Sequence, residues 1–149
     1  MVKNIVALAR LKEKDLKTID PAIKQETRYI AVTTLILSAL MEAVYLIIGK
    51  WDLPVLFGNL LGSGIGILNF FLMGLGLQKA LNKDEKGAKS TVVFSHTMRF
   101  FLMAVVLVLA AVLDCFNLLS TVLALFFPSL GVYMRAISLK KAGKEEASE

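Results

Sequence analysis

Four long apolar runs set the limits on this chain: Tyr29–Ile48, Leu53–Leu77, Met98–Leu113 and Leu118–Ile137. The hydrocarbon core of a bilayer is about 30 Å thick, so a helix needs roughly 20 apolar residues to cross it. The third run is the shortest and reaches that length with its flanks. A backbone in lipid must satisfy its own hydrogen bonds, which a helix does within one segment. The pattern predicts an all-α integral membrane protein with four transmembrane helices arranged as two hairpins. A hydrophobic share of 56% and a mean hydropathy of +0.68 exceed those of an ordinary soluble domain.

Charge placement orients the spans. Basic residues crowd the segment before the first run (Lys3, Arg10, Lys12, Lys14, Lys17, Lys24, Arg28) and the segment Gln78–Arg99 (Lys79, Lys83, Lys86, Lys89, Arg99). Four more follow from Arg135 onward: Arg135, Lys140, Lys141 and Lys144. The turn after the first run holds only Lys50, and Asp114–Asn117 holds none. Short loops rich in Lys and Arg stay in the cytoplasm. Both termini and the middle loop are therefore expected inside, with two short turns outside. Three regions follow: a basic amphipathic N-terminal segment (1–28), the four-helix membrane domain (29–139) and a polar, disordered tail (140–149). In the first, Val2, Ile5, Val6, Ala9, Leu16 and Ile19 fall mostly on one side among lysines, which suits either a helix lying on the anionic inner leaflet or a frayed basic tail. Asp20-Pro21 reads as a helix start, with Asp as cap and Pro in the first turn. The first run is followed by GKWDLP rather than a small-residue cleavage site, so it is expected to remain in the mature protein.

Several functions are disfavoured. The net charge of +5 is spent at the flanks of the apolar runs, without the aromatic interleaving that stacks on bases, so nucleic acid is not an expected partner. Cys115 is the only cysteine and His96 the only histidine, which excludes an internal disulfide, a thiolate cluster and a multi-histidine metal site. No nucleophile–base pair or phosphate loop is visible, so neither an enzyme nor a cofactor is expected.

The second run contains GNLLGSGIGILNFF, dense in glycine and with two asparagines. At about 100° per residue, Gly58, Gly62 and Gly66 form one stripe that continues through Asn69, Met73 and Gly76. Small residues at this spacing let helix backbones approach closely in lipid, and Asn69 can hydrogen-bond across the contact. Gly64 and Gly74 lie off the stripe. The seam can pack within the domain or dock another membrane protein; a homo-oligomer is what a continuous polar transport path through such four-helix units would require.

Other polar residues bear on function. Glu42 lies in the outer half of the first run, where an acid must be protonated, paired or hydrated. It reads either as a cation- or proton-handling carboxylate or as an acid meeting water or Lys50. With Asp52, Asp114 and Asn117 it could form an oxygen-lined mouth for Mg²⁺. Arg99 opens the third run and reads as an anchor to inner-leaflet phosphates or as half of an ion pair. Pro128 removes a backbone hydrogen bond and is expected to kink the fourth helix. Trp51 and Tyr45 suit an outer aromatic belt, and Tyr133 an inner one.

The second run, LFGNLLGSGIGILNFFLMGLGLQKAL, resembles a helix of the ATP synthase protein I family, in which Gly-rich spacing precedes Leu-Asn-Phe, here Leu68, Asn69 and Phe70. The third run is similar to that family in placing Arg99 near its start after a basic loop. The fourth is similar in breaking its apolar run with a proline, Pro128, before a tyrosine, Tyr133. The resemblance covers roughly Tyr29 to Leu139. It implies a small multi-pass protein of the bacterial inner membrane that assists assembly of the c-subunit ring of the F-type ATP synthase. The alternative it implies is a Mg²⁺ transport protein supplying that synthase. The c subunits, themselves helical hairpins with Gly-rich faces, are the expected partner, alongside the anionic inner leaflet.

Overall fold

The computed structural model describes residues 1–146, with Ala9 and residues 11–17 and 145–146 described by backbone alone. Five helices follow in order: α1 (Val2–Lys17), α2 (Pro21–Ile48), α3 (Leu53–Leu81), α4 (Glu85–Val112) and α5 (Leu118–Glu146). No strand occurs among the described residues. The last four helices are each long and apolar enough to cross a membrane, and the chain is a multi-pass membrane protein.

Side chains set the helix ends. Asp20 caps α2, its Oδ1 accepting from the Ala22 N–H at 2.8 Å, and Pro21 opens the helix as the sequence predicts. α2 stops at Gly49, whose φ of 73° is left-handed and whose N–H closes onto Leu46 O. Asp52 caps α3 through the Val55 N–H at 3.0 Å. Asn117 caps α5, its Oδ1 accepting from the Ser120 N–H at 3.0 Å. On α1, Val2, Ile5 and Val6 are exposed; the side chains of Ala9 and Leu16 lie outside the described ones. Gln78 near the end of α3 holds the α1–α2 connection, donating to Thr18 O at 2.8 Å and accepting from the Asp20 N–H at 3.3 Å.

All four spanning helices run further than the apolar runs, α4 and α5 the most. α4 starts at Glu85, well before Met98. α5 continues to Glu146, so Lys140–Glu146, which composition assigns to a disordered tail, is helical. The physical reason is propagation: once a helix is nucleated in the span, Lys, Ala and Glu extend it at little cost. Residues 147–149 lie outside the described ones. α5 is also a single continuous helix through Pro128.

α3 is the centre of the bundle, packing on α2, α4 and most extensively α5, and α5 also packs on α2. The consecutive pair α4 and α5 touches less than any of these. The buried interior is small and rich in polar groups: Thr34, Ser38, Asn59, Ser63, Ser120 and Thr121 lie among apolar residues that include Ile30, Met41, Val55, Ala124 and Leu125. Large apolar side chains point outward instead. This suits lipid, where leucine gains nothing by leaving the acyl chains and helices associate through small residues and hydrogen bonds.

Candidate functional site in the helix bundle

The glycine stripe is the contact between α3 and α5. A Cβ added at Gly58 would lie 2.7 Å from Asn117 O and 2.9 Å from Thr121 Oγ1; at Gly62, 2.5 Å from Thr121 O and 2.7 Å from Ala124 Cβ. At Gly66 it would meet Pro128 Cγ at 2.8 Å. No side chain longer than hydrogen fits at Gly62 without moving the α5 backbone. The contact is stapled beside the α2–α3 turn, where Ser120 Oγ donates to Val55 O at 2.7 Å and the Asn117 N–H donates to Pro54 O at 2.8 Å. Of the readings left open for the seam, packing within the chain is the one that occupies Gly58, Gly62 and Gly66. The stripe then changes neighbour: Gly76 abuts Ser95 of α4, and Met73 is exposed. Off the stripe, Gly74 meets Ile23 of α2, and Gly64 meets nothing within 4 Å.

A second feature joins α2 to α3. Asn59, 1% exposed, accepts from Ser38 Oγ at 2.7 Å and from Ser63 Oγ at 3.1 Å. Its amide donates to Ser38 O at 3.1 Å and to Glu42 Oε1 at 2.6 Å. Glu42 Oε2 accepts from Trp51 Nε1 at 2.6 Å. Glu42 is thus neither facing Lys50 nor open water alone: both its oxygens are engaged by the chain. Trp51, expected in an outer aromatic belt, also orients this acid. The network ends at Thr34 near the middle of α2, whose buried Oγ1 has no partner, and Ile30, 1% exposed, fills the next turn.

The oxygen-lined mouth is not assembled. Asp52 serves as a helix cap, Asn117 as another, and Asp114 is exposed. Among the described residues no group of three or more His, Cys, Asp or Glu could hold a metal ion.

On the other side of α3, Asn69 and Arg99 come together around a cavity of about 260 Å³ bounded by Met73, Met103, Pro128 and Tyr133. The Asn69 amide makes only a 4.0 Å contact to Met103 Sδ, and its buried Oδ1 has no partner. Arg99 Nε donates to Ser95 O of its own helix at 3.2 Å. By contrast Arg135, read from sequence only as flanking charge, pairs with Glu26 of α2 at 3.1 Å and lies 4.8 Å from the centre of the Tyr29 ring.

Sequence reasoning missed two of these residues, Asn59 and Glu26. The signal for Asn59 was available. Ser38 and Glu42, and Asn59 and Ser63, are i,i+4 pairs, and Glu42 and Asn59 lie equally far from the turn that joins α2 to α3. Nothing comparable marks Glu26, because its partner is 109 residues away.

Fold and site define a small multi-pass membrane protein whose helices are joined by a glycine seam and a buried amide–carboxylate network. The chain belongs to the ATP synthase I chain family, whose model matches residues 29–126. Its role is accordingly associated with ATP synthase. No curated protein and no solved structure matches the chain.

Proposed function

We propose that this chain is a non-catalytic accessory protein of the bacterial F-type ATP synthase that assists assembly of the c-subunit ring in the inner membrane. Family membership supplies the association with the synthase. The observation that favours assembly is the state of α4. Over 28 residues it buries only Val106 and Ala110, and it leaves Phe94, Phe100, Phe101 and Val108 exposed. A helical hairpin such as a c subunit can add to this face without displacing a helix. The glycine seam then acts indirectly, by fixing α3 on α5 so that α4 is held at one edge of a rigid unit.

The Mg²⁺ transport reading has less support. Each Glu42 oxygen already accepts a hydrogen bond from the chain, and the polar network stops at Ile30.

A photoreactive residue at Phe101 is expected to form adducts with subunit c in native membranes, whereas one at the buried Val106 is not. Adducts with lipid alone at Phe101 would count against the proposal.

Orientation belongs to the same proposal, with both termini and Lys83–Lys89 in the cytoplasm. A cysteine placed at Lys86, in a chain lacking Cys115, is expected to resist an impermeant thiol reagent in intact cells and to react in inverted vesicles. Labelling in intact cells would reverse the topology.

A further inference from the structure

We propose that the end of the α3–α4 groove nearest Lys83 is a binding site for an anionic phospholipid, taking its phosphodiester at Lys79 and Arg99 and one acyl chain along the groove. The groove encloses about 370 Å³. Leu72, Leu75, Phe94 and Leu102 form apolar walls, and Lys79, Thr91, Ser95 and Arg99 gather at its polar part. A free phosphate would use only the polar part; the apolar walls, open sideways to lipid, fit a ligand carrying a hydrocarbon chain.

The cations converge for a geometric reason. Side chains on a helix lean toward its N-terminus. α3 and α4 run in opposite directions across the short connection at 82–84. Lys79 therefore leans into the span, and Arg99 leans out of it toward Ser95, to which its Nε is bonded. Close approach of the two helices at Gly76 and Ser95 brings both to one groove. Lys83 stands at the rim, with Nζ 2.8 Å from Thr91 Oγ1.

These charges lack an internal counter-ion among the described residues. Among the described residues Lys79 and Arg99 have no carboxylate within ion-pair distance, in contrast to Arg135 with Glu26. The nearest acids in sequence, Asp84 and Glu85, are exposed in the connection and the first turn of α4. A cation at this depth calls for an anion, and basic pockets between helices on the cytoplasmic side recruit anionic headgroups. The site rests on the proposed orientation, which puts Lys79 and Arg99 toward the cytoplasmic leaflet, and not on ring assembly.

The full chain, purified in neutral detergent, is titrated with phosphatidylglycerol or phosphatidylcholine and examined by native mass spectrometry. Retention of phosphatidylglycerol over phosphatidylcholine is expected, with affinity falling about tenfold or more in Lys79→Gln/Arg99→Gln. Lys144→Gln, outside the groove, is expected to bind as the parent does. Lys79 is exposed, so Lys79→Gln alone serves as a variant whose folding is not at stake and is expected to show part of the loss. Equal retention of the two lipids, unchanged binding in the double variant, or displacement of the lipid by millimolar inorganic phosphate would overturn the proposal.

Discussion

Gly62→Leu is expected to abolish the folded bundle. The Cβ alone would stand 2.5 Å from the Thr121 carbonyl oxygen and 2.7 Å from Ala124 Cβ. Neither obstacle is the tip of a flexible side chain, so α5 as a whole must retreat. Retreat forfeits close packing along α3 and strains the Ser120–Val55 and Asn117–Pro54 hydrogen bonds at its end. The expected loss is on the order of 3 kcal/mol or more, the upper end for overpacking a tight contact. Gly64→Leu, with nothing within 4 Å, is expected to be near neutral. The comparison is made by unfolding the inserted proteins in mixed detergent micelles. Parental stability in Gly62→Leu would show that the seam does not hold the bundle.

Asn59→Leu is expected to cost about 2 kcal/mol, although leucine is of similar size and suits lipid. It leaves Glu42 Oε1 without its amide donor and removes the acceptor shared by Ser38 and Ser63. The serines can turn to carbonyls of their own helices, so most of the loss belongs to the acid. A double-mutant cycle with Glu42→Gln isolates that part. Coupling of about 1 kcal/mol is expected, and strictly additive losses would contradict the network.

The spans and helix starts were legible because each is a local property. Apolar length defines a membrane helix, and Asp20-Pro21 defines a helix start, whatever else the chain does. The glycine stripe was legible as a packing surface for the same reason. Its neighbour was not: periodicity gives the angle of a face, not what covers it, and α5 lies on α3 although α4 separates them in sequence. Asn59 shows the same limit. One residue from Gly58, it is turned about 100° away and so belongs to the α2 contact rather than the stripe. Asn69 stood on the stripe and drew the attention, yet it is the asparagine whose buried oxygen has no partner. Lys140–Glu146 was misread because composition describes a peptide alone, whereas this segment extends a helix already formed.

Assistance to ring assembly is read from the yield of assembled c ring. Subunit c is expressed with and without this chain, at matched levels of inserted c subunit, and intact ring is separated from monomer by detergent electrophoresis. Several-fold more ring is expected when the chain is present, with a return to the lower yield for Gly62→Leu, in which the rigid unit is lost. Equal ring yield with and without the stably inserted chain would contradict it.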